Sequence, residues 1–218
     1  NLGYPATATL PIVFDKKEYL STIPSDKVVQ KYGNDGFTNI LFVGRIAPNK
    51  RHEDILHTFA VYNKYINSKS RLFFVGNSSG SEKYYNALKC YITENGIENV
   101  IFPGHISFQE IVAYYKIANV FLCESEHEGF CVPLLEAMTF DVPILAYSST
   151  AIPWTLGGSG VLFTEKDHQK IAEMMDIIVN NSNFREQIIN GQQERLEFFD
   201  IENTKNTFEK LILPWINK

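Results

Sequence analysis

Residues 120–146 form the stretch VFLCESEHEGFCVPLLEAMTFDVPILA, which contains a complete strand–loop–helix–strand pattern. The apolar run Val120–Leu122 predicts one buried strand, and Ile144–Ala146 predicts another. Between them, Pro133 suits the first position of a helix, because the N–H group that proline lacks would have no intrahelical partner there. Two buried strands connected by a loop and a helix are the repeating unit of a parallel α/β sheet.

Four more apolar runs extend this pattern along the chain: Ile40–Val43, Leu72–Val75, Val100–Phe102 and Val161–Phe163. All six runs are continuous rather than alternating, which is typical of strands buried on both faces. Apolar residues at helical spacing fill most of the intervals, and they comprise Ile55, Phe59, Tyr62 and Ile66, then Tyr84–Ile92, Phe108–Tyr115 and Leu134–Met138. The sequence therefore predicts an α/β domain with a Rossmann-like, doubly wound parallel sheet.

The chain divides into three predicted regions. Residues 1–37 contain prolines and charges but little periodicity, and they are predicted to be a linker that leads into the domain. The Rossmann-like domain is predicted over residues 38–200, and its last part is helical, as indicated by Ile171, Met174, Met175, Ile178 and the segment Phe184–Phe199. Residues 201–218 are predicted to form a C-terminal helix, which Pro214 should kink or end.

Composition excludes several classes of function. The formal net charge of −5 argues against nonspecific binding to nucleic acid or to an anionic membrane surface. No apolar run approaches the ~20 residues that a membrane span requires. The three cysteines, Cys90, Cys123 and Cys131, lack the CxxC spacing of zinc and redox motifs, which favours reduced thiols and a cytoplasmic location.

Charged residues follow the predicted strands at the edge where open α/β sheets bind their ligands. Arg45 comes directly after the first strand and Gly44, and Lys50 lies five residues further along. Arginine can bind phosphate oxygens through its planar fork, and lysine adds a compact positive charge. From the residues alone, a phosphate site and an exposed basic loop fit equally well, since the loop lacks the spacing of a Walker P-loop.

Glu128 and Glu136 are separated by seven residues, with the first in the loop and the second predicted in the first helical turn beside unpaired N–H groups. Carboxylates accept hydrogen bonds from hydroxyl pairs, and a helix N-terminus attracts phosphate. A nucleotide-sugar, with a diphosphate between two polyols, fits this arrangement. For Glu136 the simpler alternative is a favourable interaction with the helix dipole.

Other residues near these loops have ambiguous roles. His105 could lie near a nucleotide base or be an ordinary turn residue, and His127 is more typical of a polar loop than of a proton carrier. Cys131 lacks an Asp or Asn partner beyond the neighbouring His127, so nucleophilic catalysis by its thiol is disfavoured.

Five segments, in the order 39–50, 71–76, 100–104, 128–138 and 155–163, together resemble the donor-binding domain of retaining GT-B glycosyltransferases, specifically glycosyltransferase family 4 (group 1). The resemblance covers roughly residues 38–200. It implies the C-terminal half of a GT-B fold, with C-terminal helices, and an enzyme that transfers a glycosyl group.

The resemblance also implies roles for individual residues. Arg45 and Lys50 would bind the donor diphosphate and stabilise its charge as it leaves, which makes them catalytic together with Glu128 beside the transferred sugar. Glu136 would accept hydrogen bonds from the ribose. The further donor-binding positions are Gly129, Phe130, Cys131 and Val132, through backbone N–H groups, and His105 beside the base. No metal and no other cofactor is expected, because the cationic side chains neutralise the diphosphate.

The implied partners are a nucleotide-sugar donor and a glycan or lipid-linked acceptor. GT-B enzymes place the cleft between two domains, so an N-terminal acceptor domain is expected to be missing here, and the chain alone is expected to transfer sugar poorly. Peripheral contact with the inner face of the membrane would involve that missing domain. Two positions depart from the family pattern: Asp141, where many relatives have glycine, and Trp154, near a position that is often acidic.

Two other functions remain open. A GT-B sugar-nucleotide epimerase shares the fold and the ligand class, although the Gly-Arg and Glu-x7-Glu features disfavour it. A non-catalytic module that binds a nucleotide or glycan would have the same fold without turnover.

Overall fold

The computed structural model describes residues 10–216, except for the side chains of Pro214 and Trp215. The first nine residues of the predicted linker and the last two of the predicted C-terminal helix therefore lie outside the described residues. Six strands form one sheet: β1 (Thr38–Val43), β2 (Ser70–Val75), β3 (Val100–Gly104), β4 (Val120–Cys123), β5 (Ile144–Tyr147) and β6 (Val161–Phe163). Each predicted run lies within one of these strands.

The sheet has the Rossmann strand order. Its strands lie in the order β3-β2-β1-β4-β5-β6, and all neighbours are parallel. Every residue of β2 and β4 is buried, which explains their continuous apolar sequences. The order reverses between β1 and β4, so the loops that leave these two strands flank a crevice suited to ligand binding. The predicted doubly wound parallel sheet is confirmed.

Helices cover both faces of the sheet and follow its last strand. They are α1 (Lys16–Ser21), α2 (Asp26–Tyr32), α3 (His52–Val61), α4 (Glu82–Glu94), α5 (Phe108–Ile117), α6 (Val132–Thr139), α7 (Ile152–Leu156), α8 (His168–Asn180), α9 (Ser182–Glu197) and α10 (Ile201–Ile216). Each predicted helical segment has a helix in the structure, although α9 ends at Glu197, two residues before the predicted Phe199. A π-helical turn, Tyr62–Ile66, extends α3. The backbone of α10 continues through Pro214 to Ile216, so this proline does not end the helix.

The linker prediction does not hold for residues 16–32, which form α1 and α2. The helix α1 has no buried residue and α2 has only Val28, so neither shows an apolar periodicity in the sequence. Both nevertheless pack on the domain. The ring of Tyr19 lies 5.0 Å from that of Phe108, and Asp35, which follows α2, forms an ion pair with Arg71 of β2.

The loops after β1 and β2 touch each other through their backbones. A Cβ atom on Gly76 would lie 2.0 Å from the carbonyl oxygen of Gly44, so only glycine fits there. Ile46 donates a backbone hydrogen bond of 2.9 Å to the carbonyl of Asn77. This contact fixes the loop that carries the predicted cationic residues.

None of the helices in the described part of the chain is long and apolar enough to cross a membrane.

Candidate functional site

Hydrogen bonds join the loop after β1 to the loop after β4. A short 3₁₀ turn, Pro48–Lys50, follows β1 and brings Asn49 beside the acidic segment. The amide N–H of Glu126 donates to the carbonyl of Asn49 at 3.0 Å, and Asn49 Nδ2 donates to the carbonyl of His127 at 3.0 Å. The two loops that the sequence places at the same edge of the sheet are therefore in contact across the switch point.

Lys50 and Glu128 form the central ion pair of this edge. Lys50 Nζ lies 2.6 Å from both carboxylate oxygens of Glu128, and the two side chains are 19% and 6% exposed. The Glu128 backbone is fixed as well, because its N–H donates to Thr150 Oγ1 at 2.9 Å, and that hydroxyl donates to its carbonyl at 3.0 Å. An ammonium has three donors, so Lys50 retains bonding capacity for another anion.

Arg45 differs from Lys50 because its side chain is exposed. Within residues 10–216, no ion pair or hydrogen bond of its guanidinium is recorded. An anionic ligand can therefore bind the guanidinium without breaking a contact within residues 10–216.

The N-terminus of α6 follows Glu128 directly. Cys131 precedes the helix in a left-handed conformation, with φ of 69°, and Pro133 is the second residue of the helix rather than the predicted first. The N–H groups of Gly129, Phe130, Cys131 and Val132 precede or open the helix and have no intrahelical acceptor. Such groups can bind an anion together with the positive end of the helix dipole.

The thiol of Cys131 is buried beside that of Cys123 in the core. Hydrogen bonding with Cys123, together with burial, raises the pKa of Cys131 well above its usual range. The neutral thiol is a poor nucleophile, which argues against covalent catalysis at this residue.

Glu136 lies in different surroundings from those expected. It is the fifth residue of α6, beyond the first turn, and its two oxygens accept hydrogen bonds from Tyr19 at 2.7 Å and Tyr115 at 2.6 Å. Burial raises the pKa of the Glu136 carboxyl, while the hydrogen bonds from Tyr115 and Tyr19 lower it in part. A carboxylate offers about four lone-pair sites, so two remain for hydroxyl donors.

His105 is exposed at the end of β3, and β1 and β2 lie between β3 and β4. It shares the edge of the sheet with the other predicted residues but does not join the Lys50–Glu128 pair.

The acidic residues around Glu128 all have partners within the protein. Glu126 contacts Lys166 at 3.1 Å and Arg51 at 3.3 Å, and the fully buried Glu124 accepts a hydrogen bond of 2.7 Å from Thr58. Desolvation raises the pKa of Glu124 to about 7. Sequence analysis missed these partners, as well as Tyr19, Tyr115 and Thr150, because each lies on another element, far along the chain.

The two positions that depart from the family pattern have structural explanations. Asp141 adopts φ of 55°, a left-handed conformation that favours glycine, and its carboxylate accepts a hydrogen bond of 2.7 Å from Gln193. Trp154 is 43% exposed, and its ring lies 5.9 Å from that of Phe130. It therefore packs against the loop that follows Glu128.

With this geometry established, comparison with known proteins identifies the family. Residues 25–195 match the profile described as "Glycosyl transferases group 1", and the chain belongs to this family. The predicted fold class is confirmed: the Rossmann-like sheet flanked by helices matches the fold of GT-B glycosyltransferase C-terminal domains.

Two curated bacterial relatives are named for capsular polysaccharide biosynthesis and for serotype-specific mannose transfer. The chain is 27% identical over 202 residues to the capsular polysaccharide biosynthesis glycosyltransferase CapM of Staphylococcus aureus, which covers 86% of this chain and 51% of that protein. It is 25% identical over 147 residues to the serotype-specific mannosyltransferase WbdA of Escherichia coli, and the aligned region covers 66% of this chain and 18% of that protein. The chain thus spans about half or less of the length of these relatives.

Solved structures share the fold at lower identity. The Anabaena protein Alr3699/HepE, solved in complex with UDP-glucose, superposes with a TM-score of 0.78 at 20% identity, covering 93% of this chain and 56% of that one. The C-terminal domain of the group 1 protein LpcC from Francisella tularensis superposes with a TM-score of 0.67 at 22% identity. The superposition covers 84% of this chain and 98% of that domain.

Proposed function

We propose that this chain binds a nucleotide-diphosphate sugar and supplies the donor half of a retaining glycosyltransferase, whose acceptor is a glycan or a lipid-linked glycan. The observation that carries the proposal is the Lys50–Glu128 ion pair at the switch point of the sheet. Membership of the group 1 family and relatives named for capsular polysaccharide and serotype-specific mannose transfer support it.

In this proposal the diphosphate lies among Arg45, Lys50 and the N-terminus of α6. These groups stabilise the negative charge that develops on the leaving nucleotide, and no metal ion is needed for that purpose. The N–H groups from Gly129 to Val132 contact the phosphates and the sugar. Glu136 accepts the ribose hydroxyls, and His105 lies beside the base.

Glu128 acts in this proposal as a positioning and charge-stabilising group beside the sugar. Both of its oxygens contact Lys50 at 2.6 Å, which makes the carboxylate a poor nucleophile. Retention would then follow from departure and attack on the same face of the sugar, with a phosphate oxygen accepting the proton of the acceptor hydroxyl.

Calorimetric titration of the chain with UDP, GDP, ADP and dTDP, first without and then with Mg²⁺, tests the donor site. We expect one nucleotide to bind selectively and the addition of Mg²⁺ to leave its affinity unchanged. Lys50→Met should weaken that binding, whereas Lys170→Met, at a side chain that is 74% exposed, should not. Failure of all four nucleotides to bind would refute donor binding by this chain.

A second measurement separates transfer from the alternatives. Incubation with the sugar-nucleotide of the selected base should give little turnover by the chain alone and no epimer. Formation of an epimer would identify the enzyme as an epimerase. Efficient transfer by the chain alone would contradict the expected need for an acceptor domain.

A further inference from the structure

A second polar cluster lies between α3 and the start of α8, apart from the Lys50–Glu128 pair. It consists of Asp54 and His57 on α3 and His168, the first residue of α8. One carboxylate oxygen of Asp54 and one ring nitrogen of each histidine lie within 4.8 Å of one another. The two imidazoles are partly exposed, so an ion can reach them from solvent.

We propose that Asp54, His57 and His168 bind a divalent transition-metal ion of the Zn²⁺ class. Two imidazoles and one carboxylate are a ligand set that such ions favour, and a water molecule can complete a tetrahedron. Ligand atoms around a tetrahedral Zn²⁺ lie about 3.4 Å apart, so small rotations of these side chains suffice. The site is independent of donor binding, and the prediction that diphosphate binding needs no metal is unaffected.

The surroundings of His168 provide a second, independent observation. Its Nδ1 lies 3.0 Å from Thr58 Oγ1 and 3.9 Å from Glu124 Oε2. Glu124 is fully buried, and among the described residues its Oε2 has no hydrogen-bond partner. Metal-binding histidines commonly donate their other ring N–H to a carboxylate, which fixes the tautomer. The acceptor within hydrogen-bond distance of His168 Nδ1 is Thr58 Oγ1, whose hydroxyl in turn donates to Glu124 Oε1 at 2.7 Å. With the proton on Nδ1, Nε2 of His168 keeps its lone pair for the ion.

Asp54 is also in contact with two cations. Lys166 Nζ lies 2.5 Å from Oδ2 and Arg51 Nε lies 3.0 Å from the same oxygen, whereas the contact of Arg51 with Oδ1 is long, at 3.4 Å. Oδ1 is therefore the oxygen available to an ion. Lys166 also contacts Glu126 at 3.1 Å, so it keeps an anionic partner when the metal shares Asp54.

A metal ion at this site would connect the crossover helix α3 to the helix α8. We expect the ion to raise the stability of the domain, since binding to the folded state alone stabilises it.

Calorimetry with ZnCl₂ on the whole chain tests the site. We expect one ion to bind per chain and to raise the Tm. His57→Gln and His168→Gln should each weaken binding by at least about 100-fold, beyond the about 10–100-fold typical for loss of an outer partner. The matched control His127→Gln, at an exposed histidine, should retain the full affinity. Unchanged affinity in both ligand variants would overturn the proposal.

The nearby group Cys123, Glu128 and Cys131 could also hold a metal, so the ligand type must be identified. Co²⁺ serves as a spectroscopic substitute on the unaltered protein, which removes any dependence on the folding of variants. Visible ligand-field bands without a thiolate charge-transfer band are expected. A thiolate charge-transfer band would place the ion at the cysteines and overturn the proposal.

Discussion

Lys50 Nζ contacts both carboxylate oxygens of Glu128 at 2.6 Å, although the two residues are 78 positions apart in the chain. The pair joins the loop after β1 to the loop after β4, on the two sides of the point where the strand order reverses. Because Glu128 is nearly buried and Lys50 is partly exposed, the cation both neutralises a carboxylate and faces the crevice. Its structural and ligand-binding roles can be separated by substitution.

Lys50→Met should impair both stability and diphosphate binding. Loss of the cation leaves the Glu128 carboxylate uncompensated, so the free energy of unfolding should fall by about 2 kcal/mol, less than for a fully buried pair. The affinity for the selected nucleotide should fall tenfold or more, since a charge-assisted hydrogen bond contributes about 1.5–3 kcal/mol. Denaturant unfolding and calorimetry measure the two effects.

The double variant Lys50→Met with Glu128→Gln separates these effects. It should recover much of the stability, because no unpaired charge remains, but it should not recover nucleotide affinity. Loss of stability in Lys50→Met with full nucleotide affinity would show that Lys50 has a structural role only.

Arg45→Ala should weaken diphosphate binding roughly tenfold to a hundredfold, by the same energetic argument. Because its side chain is exposed, the free energy of unfolding should stay within about 0.5 kcal/mol of the unaltered value. Calorimetry with the selected nucleotide, repeated at high salt, measures the loss. Equal affinities of the two proteins would remove Arg45 from the donor site.

The strands β1, β2, β4 and β5 could be predicted from the sequence because nearly all of their residues are buried, which gives continuous apolar runs. The edge strands β3 and β6 also have apolar runs, although their residues are only partly buried or exposed. The edge that carries the site followed from the strand pattern as well. The helices α1 and α2 could not be predicted, because they bury almost nothing: no residue of α1 and only Val28 of α2 are buried. Their packing depends on contacts such as that of Tyr19 with Phe108, which involve distant segments.

The residues of the candidate site could be predicted from the sequence, but the contacts between them could not. Sequence spacing placed Glu128 in a loop and Lys50 in another loop at the same edge, yet it gave no sign that they would pair. The hydroxyl partners of Glu136 come from α1 and α5, and only folding brings them to α6. Spacing likewise gave no sign of the cluster between α3 and α8.

Glu136→Ala should abolish discrimination between ribonucleotide and 2′-deoxyribonucleotide. In the unaltered protein we expect the 2′-deoxy analogue of the selected diphosphate to bind about tenfold more weakly, because it loses a charge-assisted hydrogen bond. Tyr19→Phe is the matched control, since it removes the 2.7 Å hydrogen bond to Glu136 but leaves the carboxylate in place. The Tyr19→Phe variant should still bind the ribonucleotide more tightly than its 2′-deoxy analogue. Equal binding of both nucleotides by the unaltered protein would exclude readout of the 2′-hydroxyl by Glu136.

Glu124→Gln should stabilise the protein at neutral pH, by up to about 3 kcal/mol, since each pKa unit corresponds to about 1.4 kcal/mol. Desolvation raises the pKa of Glu124 to about 7 from its ordinary value near 4.5, so the folded state holds an extra proton between these values. The stability that protonated Glu124 contributes is therefore complete below about pH 4.5 and is lost as the pH rises to about 7.

His52 changes the stability with pH in the opposite direction, because its burial lowers its pKa to about 3 and the stability therefore rises with pH below pH 6.5. The test is thus the difference between variant and unaltered protein in urea unfolding from pH 5 to 8. That difference should grow with pH for Glu124→Gln and stay near zero for Glu94→Gln, an exposed residue. A difference that does not change with pH would mean that Glu124 is ionised throughout this range.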